Sequence, residues 1–146
     1  MSTDIQVFLQ DSRVPTADDW NAAIKTEGFD LVLDPFDLRA DDGYRPAFLK
    51  GEESGFEWYL SKVATMEEMP GFPFKAFIGD CDLKAQLCFT SYANEEVASA
   101  IAGAVLAKLS GGYYWDPETD NRFLQGDDAI AAAWKIAKEK AGSCDA

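Results

Sequence analysis

Carboxylates are the reactive groups this sequence offers most of. Between Asp30 and Glu57 lie Asp30, Asp34, Asp37, Asp41, Asp42, Glu52, Glu53 and Glu57, set against Arg39, Arg45 and Lys50 alone. A calcium loop of the EF-hand kind needs oxygen ligands at its first, third and fifth positions, Gly at the sixth and Glu at the twelfth. Counting from Asp37 puts Arg39 at a ligand position and Asp42 where Gly belongs, so the pattern is broken. The stretch reads as a solvated acidic loop or as a protein-binding patch. A second set comprises Asp116, Glu118, Asp120, Asp127 and Asp128. A pair of carboxylates can hydrolyse glycosides, but Asp116-Pro117 and Asp120-Asn121 are turn chemistry, and Asp127 or Asp128 suits a helix cap.

The other reactive types are sparse. The chain has no His, which removes Ser-His-Asp and Cys-His nucleophilic catalysis and His-based metal sites. Its cysteines are Cys81, Cys88 and Cys144, with no Cys-x-x-Cys pair, a poor metal set. An odd number of thiols, and a start (MSTDIQ) without a basic or apolar leader, predict reduced cysteines in a cytoplasmic protein. Cys81 and Cys88 could instead face each other across a hairpin. No glycine-rich phosphate cradle and no nucleophile elbow occurs. The expectation is a non-enzyme without metal or cofactor.

Charge narrows the partners. Lys and Arg number 13 and Asp and Glu 26, so 13 − 26 = −13. Nucleic acids and anionic membranes call for a basic footprint that is absent here. No apolar run is long enough to span a bilayer. The remaining partners are basic proteins or cations, or nothing specific where the acidity serves solubility alone, with self-association open as well. Aromatic residues beside carboxylates make anchors for Arg and Lys. The candidate partner-binding residues are therefore Asp41, Asp42, Glu52, Glu53, Glu57 and Tyr59, with Tyr113, Trp115 and Asp116 alongside.

The elements that must position these residues follow from periodicity. Residues 5–10 alternate as a strand, with Ile5, Val7 and Leu9 on one face. Thr16 caps a helix over 17–27, and residues 29–34 form a strand, so 5–34 reads as a β-α-β unit. A short strand sits at 45–49. Residues 55–63 alternate, with Phe56, Trp58 and Leu60 on one face and Glu57, Tyr59 and Ser61 on the other. Residues 66–73 punctuate, and 74–80 with 83–92 predict an antiparallel hairpin. Asn94 caps a helix over 95–110 whose stripe is Val97, Ile101, Val105 and Leu109. A strand at 112–116 puts Tyr114 opposite Tyr113 and Trp115. A short strand follows at 123–124, and a last helix at 128–141 has Ile130, Ala133, Trp134 and Ala137 as its stripe. Val97, Ile101, Val105, Leu109, Ile130, Trp134 and Phe77 are expected in one core. Residues 1–146 thus read as a single α+β domain: one mixed or mostly antiparallel sheet, about three helices, and ferredoxin-like (split βαβ) layers.

Two stretches carry a resemblance. Gly28-Phe29-Asp30-Leu31 with Ser54-Gly55-Phe56-Glu57-Trp58-Tyr59, and Gly111-Gly112-Tyr113-Tyr114-Trp115-Asp116-Pro117-Glu118, resemble segments of small acidic bacterial α+β domains of uncharacterised or toxin-immunity type. They cover under a third of the chain. The resemblance implies a bacterial cytoplasmic protein without catalysis that inhibits a basic toxin domain. The alternatives are a structural or self-associating domain, and a small-ligand module or enzyme using carboxylates.

Overall fold

The structure is a computed structural model that describes residues 3–63, 76–90, 92–116 and 122–144. In chain order the elements are β1 (Thr3–Leu9), α1 (Ala17–Thr26), β2 (Leu31–Leu33), β3 (Gly43–Leu49), β4 (Glu52–Lys62), β5 (Leu83–Phe89), α2 (Ala93–Ser110), β6 (Tyr113–Trp115), β7 (Phe123–Leu124) and α3 (Gly126–Cys144). The strands form one seven-stranded sheet in the order β2-β3-β4-β5-β1-β6-β7. Every neighbouring pair is antiparallel. The α+β class follows directly.

The finer layering differs from expectation. The ferredoxin-like unit runs β-α-β-β-α-β. Here two further strands stand between α1 and α2, and β7 and α3 are added after β6. β1 and β2, the strands of the expected β-α-β unit, run parallel but with β3, β4 and β5 between them. A split βαβ does exist, in β5-α2-β6, where β1 lies between two parallel strands. The hairpin expected from 74–80 and 83–92 does not form over its described part: residues 76–80 are turns, and 74 and 75 lie outside the described residues. β5 instead pairs with β4 and β1.

Alternation decides which side each strand buries. Ile5, Val7, Leu9, Phe56, Trp58, Ala85 and Leu87 point to the helix side and are buried. α2 lies on them, with α1 and α3 packed against it. Its Ala98, Ala100, Ala102, Ala104 and Ala107 are buried together with Val97, Ile101 and Val105. A helix buried nearly all round needs such small side chains for neighbouring elements to come close. The expected stripe is therefore real but incomplete. Leu109, Trp134 and Phe77 are exposed, which corrects their assignment to the core.

Local chemistry closes the elements. Thr16 Oγ1 accepts the Asp19 N–H at 3.1 Å, as the cap predicts. Asn94 lies inside α2 and is not its cap. Its side-chain amide donates to the Glu53 carbonyl at 2.9 Å, and its own carbonyl accepts from Ser54 Oγ at 3.0 Å, tying α2 to β4. Gly111, at φ 71°, ends α2 in the left-handed conformation, and Gly112 N–H donates back to Ala107 O. Lys108 bridges Glu27 and Asp127, joining the ends of all three helices.

The edge of the sheet is guarded by a side chain. Asn21 of α1 donates to the Leu33 carbonyl at 2.9 Å and accepts the Leu33 N–H at 2.8 Å. The carboxamide occupies the backbone groups that an edge strand would offer to another chain. Asn21→Ala is expected to destabilise the protein by about 1–2 kcal/mol, two part-buried backbone groups losing their partners, and to raise its tendency to associate. Urea denaturation and sedimentation check both effects. An unchanged midpoint would show that water replaces the amide without penalty.

Candidate functional site

The side of the sheet away from α1, α2 and α3 divides into two halves. Around β1, β6 and β7, Phe8 is fully buried beneath Val63 and Ile78, with Tyr113, Trp115 and Phe123 packed beside it. Trp115 and Phe77 both stack on Phe123, each with ring centroids 5.5 Å apart. Around β2, β3 and β4 the face is open. Val32, Tyr44, Phe48 and Tyr59 are exposed at 54%, 51%, 44% and 37%. Their common side follows from register: Val32 pairs with Phe48, Phe48 with Glu53, and Tyr44 with Glu57. Side chains of directly paired residues share a face.

Cross-strand rows join the two halves. One runs Tyr44, Glu57, Cys88, Asp4. The next runs Tyr59, Gln86, Gln6, Trp115. Tyr59 Oη donates to Glu57 Oε1 at 2.8 Å. That bond raises the Tyr59 phenol above its ordinary pKa, with the Glu57 and Asp42 charges acting in the same direction. Gln86 and Gln6 both donate to Asp4 Oδ2, at 2.7 and 3.0 Å. Burial first, then Asp4 and Glu57, push the Cys88 thiol up to about 11, so it stays protonated and unreactive at neutral pH. Cys81 and Cys88 are unpaired. Tyr44 Oη donates to the Ser54 carbonyl at 2.8 Å, which lays its ring over Gly55.

The sequence-derived candidates are thereby sorted. Glu53, Glu57 and Tyr59 share the open face along β4, and Asp42 stands near its Tyr59 end, far from Glu53. Tyr113 and Trp115 share its side but lie half-buried, Trp115 about 14 Å from Tyr59 across the row. Asp41 is engaged elsewhere: its Oδ2 accepts the Asp37 N–H at 2.9 Å and lies 3.9 Å from the Arg45 guanidinium. Glu52 pairs with the buried Leu49 and turns to the helix side. The β3–β4 turn also puts Asp41 and Asp42 about 23 Å from Glu52 and Glu53, seven strand residues away. Asp116 is only 8% exposed and lines a cleft against α3, not the open face. Glu118 and Asp120 lie outside the described residues.

Sequence reasoning missed Val32, Tyr44, Phe48 and Asp4. A signal was present in Tyr44-Arg45-Pro46-Ala47-Phe48, where alternate residues keep one phase. It was hidden because Arg45 and Pro46 break the apolar pattern. The Asp37 loop is built from its own hydrogen bonds: Asp37 Oδ1 accepts the N–H groups of Arg39 and Ala40 at 3.0 and 3.2 Å. Among the described residues no group of three His, Cys, Asp or Glu side chains could hold a metal ion, and no helix is long and apolar enough to cross a membrane. What the open face provides is a set of aromatic planes with carboxylate acceptors between them. Compared with protein-family models, with curated proteins and with solved structures, the chain finds no match, so a functional reading rests on this geometry.

Proposed function

We propose that this chain is a non-catalytic binding protein that docks a basic protein on the open face of its sheet. The partner class that fits best is a toxin domain of the kind cytoplasmic immunity proteins neutralise. One observation carries the reading: exposed Tyr44, Phe48 and Tyr59 share with Glu53 and Glu57 a face that no helix covers among the described residues, and the Asp42 charge reaches Tyr59. Arg and Lys side chains stack on such rings while carboxylates accept hydrogen bonds from their N–H groups. The net charge of −13 steers a basic partner toward the surface before contact.

The test begins by photo-crosslinking from position 59 in cells of the source organism, followed by kinetics with the recovered protein. A basic partner is expected. Asp42→Asn with Glu57→Gln should slow association about fivefold at low salt and flatten its salt dependence. Tyr59→Ala should cost about 2 kcal/mol and speed dissociation roughly thirtyfold. Crosslinking only to a second copy of the chain, or association indifferent to salt and to both carboxylates, would overturn the proposal.

A further inference from the structure

On the helix side, distant from the open face, a groove of about 500 Å³ lies between α2, α3 and the β3–β4 turn. We infer that it binds an uncharged, mainly apolar small molecule whose ring lies against Trp134. The volume falls in the range of small-molecule sites, which are mostly apolar with few polar groups. Leu49, Val97, Ile101 and Ala137 supply the apolar lining. Trp134 stacks on Phe29 with ring centroids 4.2 Å apart and planes 23° from parallel, yet it remains 46% exposed. It is the exposed member of a helix face whose Ile130 and Ala133 are buried. Its indole is thus held by one neighbour and open to the groove.

The rim decides the charge of the occupant. Asp30, Glu52, Lys50 and Lys138 line the groove, and none of the four is in an ion pair among the described residues. Two carboxylates and two ammonium groups sum to zero, in a chain whose net charge is −13. A cation finds stronger attraction over the rest of the surface. An anion meets the repulsion of the whole chain with no local excess of positive charge to offset it. A neutral body against the apolar lining is the complement of this mouth. Lys50 stands at φ 52°, a conformation that Asn or Gly ordinarily fills in a two-residue turn, and this turn sets one lip of the groove.

The test uses three probes with one ring system: naphthalenemethanol, naphthoate and naphthylmethylamine, titrated by calorimetry into the full chain. The alcohol should bind saturably and about tenfold more tightly than either ion, whose charge must give up its hydration at a mouth of no net charge. Trp134→Ala, at an exposed position, should remove that binding. Ala137→Arg should do the same by filling the groove, with circular dichroism confirming that both variants fold. Absence of saturable binding by the alcohol, a preference for either ion, or binding unchanged in both variants would overturn the inference. So would a wild-type dimer that Ala137→Arg converts to monomer, because the groove would then hold a second copy. The open-face substitutions should leave naphthalenemethanol binding unchanged, so the two sites fail or stand separately.

Discussion

Trp20→Ala is expected to destabilise the protein by about 4 kcal/mol, the range for a large aromatic truncated in a closed core. Trp20 is fully buried. Its ring lies 5.4 Å from Trp58 and 6.3 Å from Phe36 and from Phe56, centroid to centroid. Its indole N–H donates to the Ala102 carbonyl at 3.0 Å, so one side chain of α1 contacts both β4 and α2. Removing it opens a cavity shared by three elements and loses a buried hydrogen bond worth about 1 kcal/mol. Against a net stability of about 5–15 kcal/mol for an ordinary domain, the variant should be partly unfolded on modest heating. Urea denaturation followed by circular dichroism measures the effect. A loss below about 1.5 kcal/mol would mean that α1 is not part of the cooperative core.

The second large effect is expected at Gly112. A Cβ there would stand 2.1 Å from the Phe8 carbonyl oxygen and 3.2 Å from Leu9 Cα. Both neighbours are backbone of β1, a strand held on both sides by β5 and β6, so no side-chain rotation relieves the clash. Gly112→Ala should cost about 3 kcal/mol or more by overpacking. Gly111→Ala makes the sharp comparison. It meets no atom within 4 Å but has φ 71°, and should cost about 1 kcal/mol through strain alone. Two adjacent glycines therefore have separate physical reasons, and the order of their effects tests both. Equal losses in chemical denaturation would remove the close approach of β6 to β1 as the explanation.

These variants bear on function because the core holds both surfaces in place. Trp58 faces the helices and donates to the Leu38 carbonyl at 3.0 Å. Its orientation fixes Glu57 and Tyr59 on the opposite side. Loosening the Trp20 cluster should therefore weaken the proposed partner docking on the open face, while the exposed Tyr59→Ala should weaken it without loss of stability.

Periodicity alone determined much of this protein. The α+β class, the helix starting after Thr16, Phe56 and Trp58 on one face with Glu57 and Tyr59 on the other, and Tyr114 opposite Tyr113 and Trp115 were all legible. The facing within each strand depends on the two-residue repeat of that element alone, which neighbours do not alter. Only the tertiary structure decided which strands are neighbours and which faces are covered. β1 and β2 are near in sequence but stand with three strands between them, because β3, β4 and β5 assemble in the gap. The acidic stretch, continuous in sequence, is divided by the β3–β4 turn, which sends Glu52 to the helix side and leaves Glu53 on the open face. Asp116 is drawn into the cleft against α3, and Trp134, in phase with a buried stripe, is left at the surface. A local repeat specifies the side of an element on which a residue lies. Whether that side meets protein or solvent is set by long-range pairing and by the number of helices available to cover it, and neither quantity is contained in any short window of sequence.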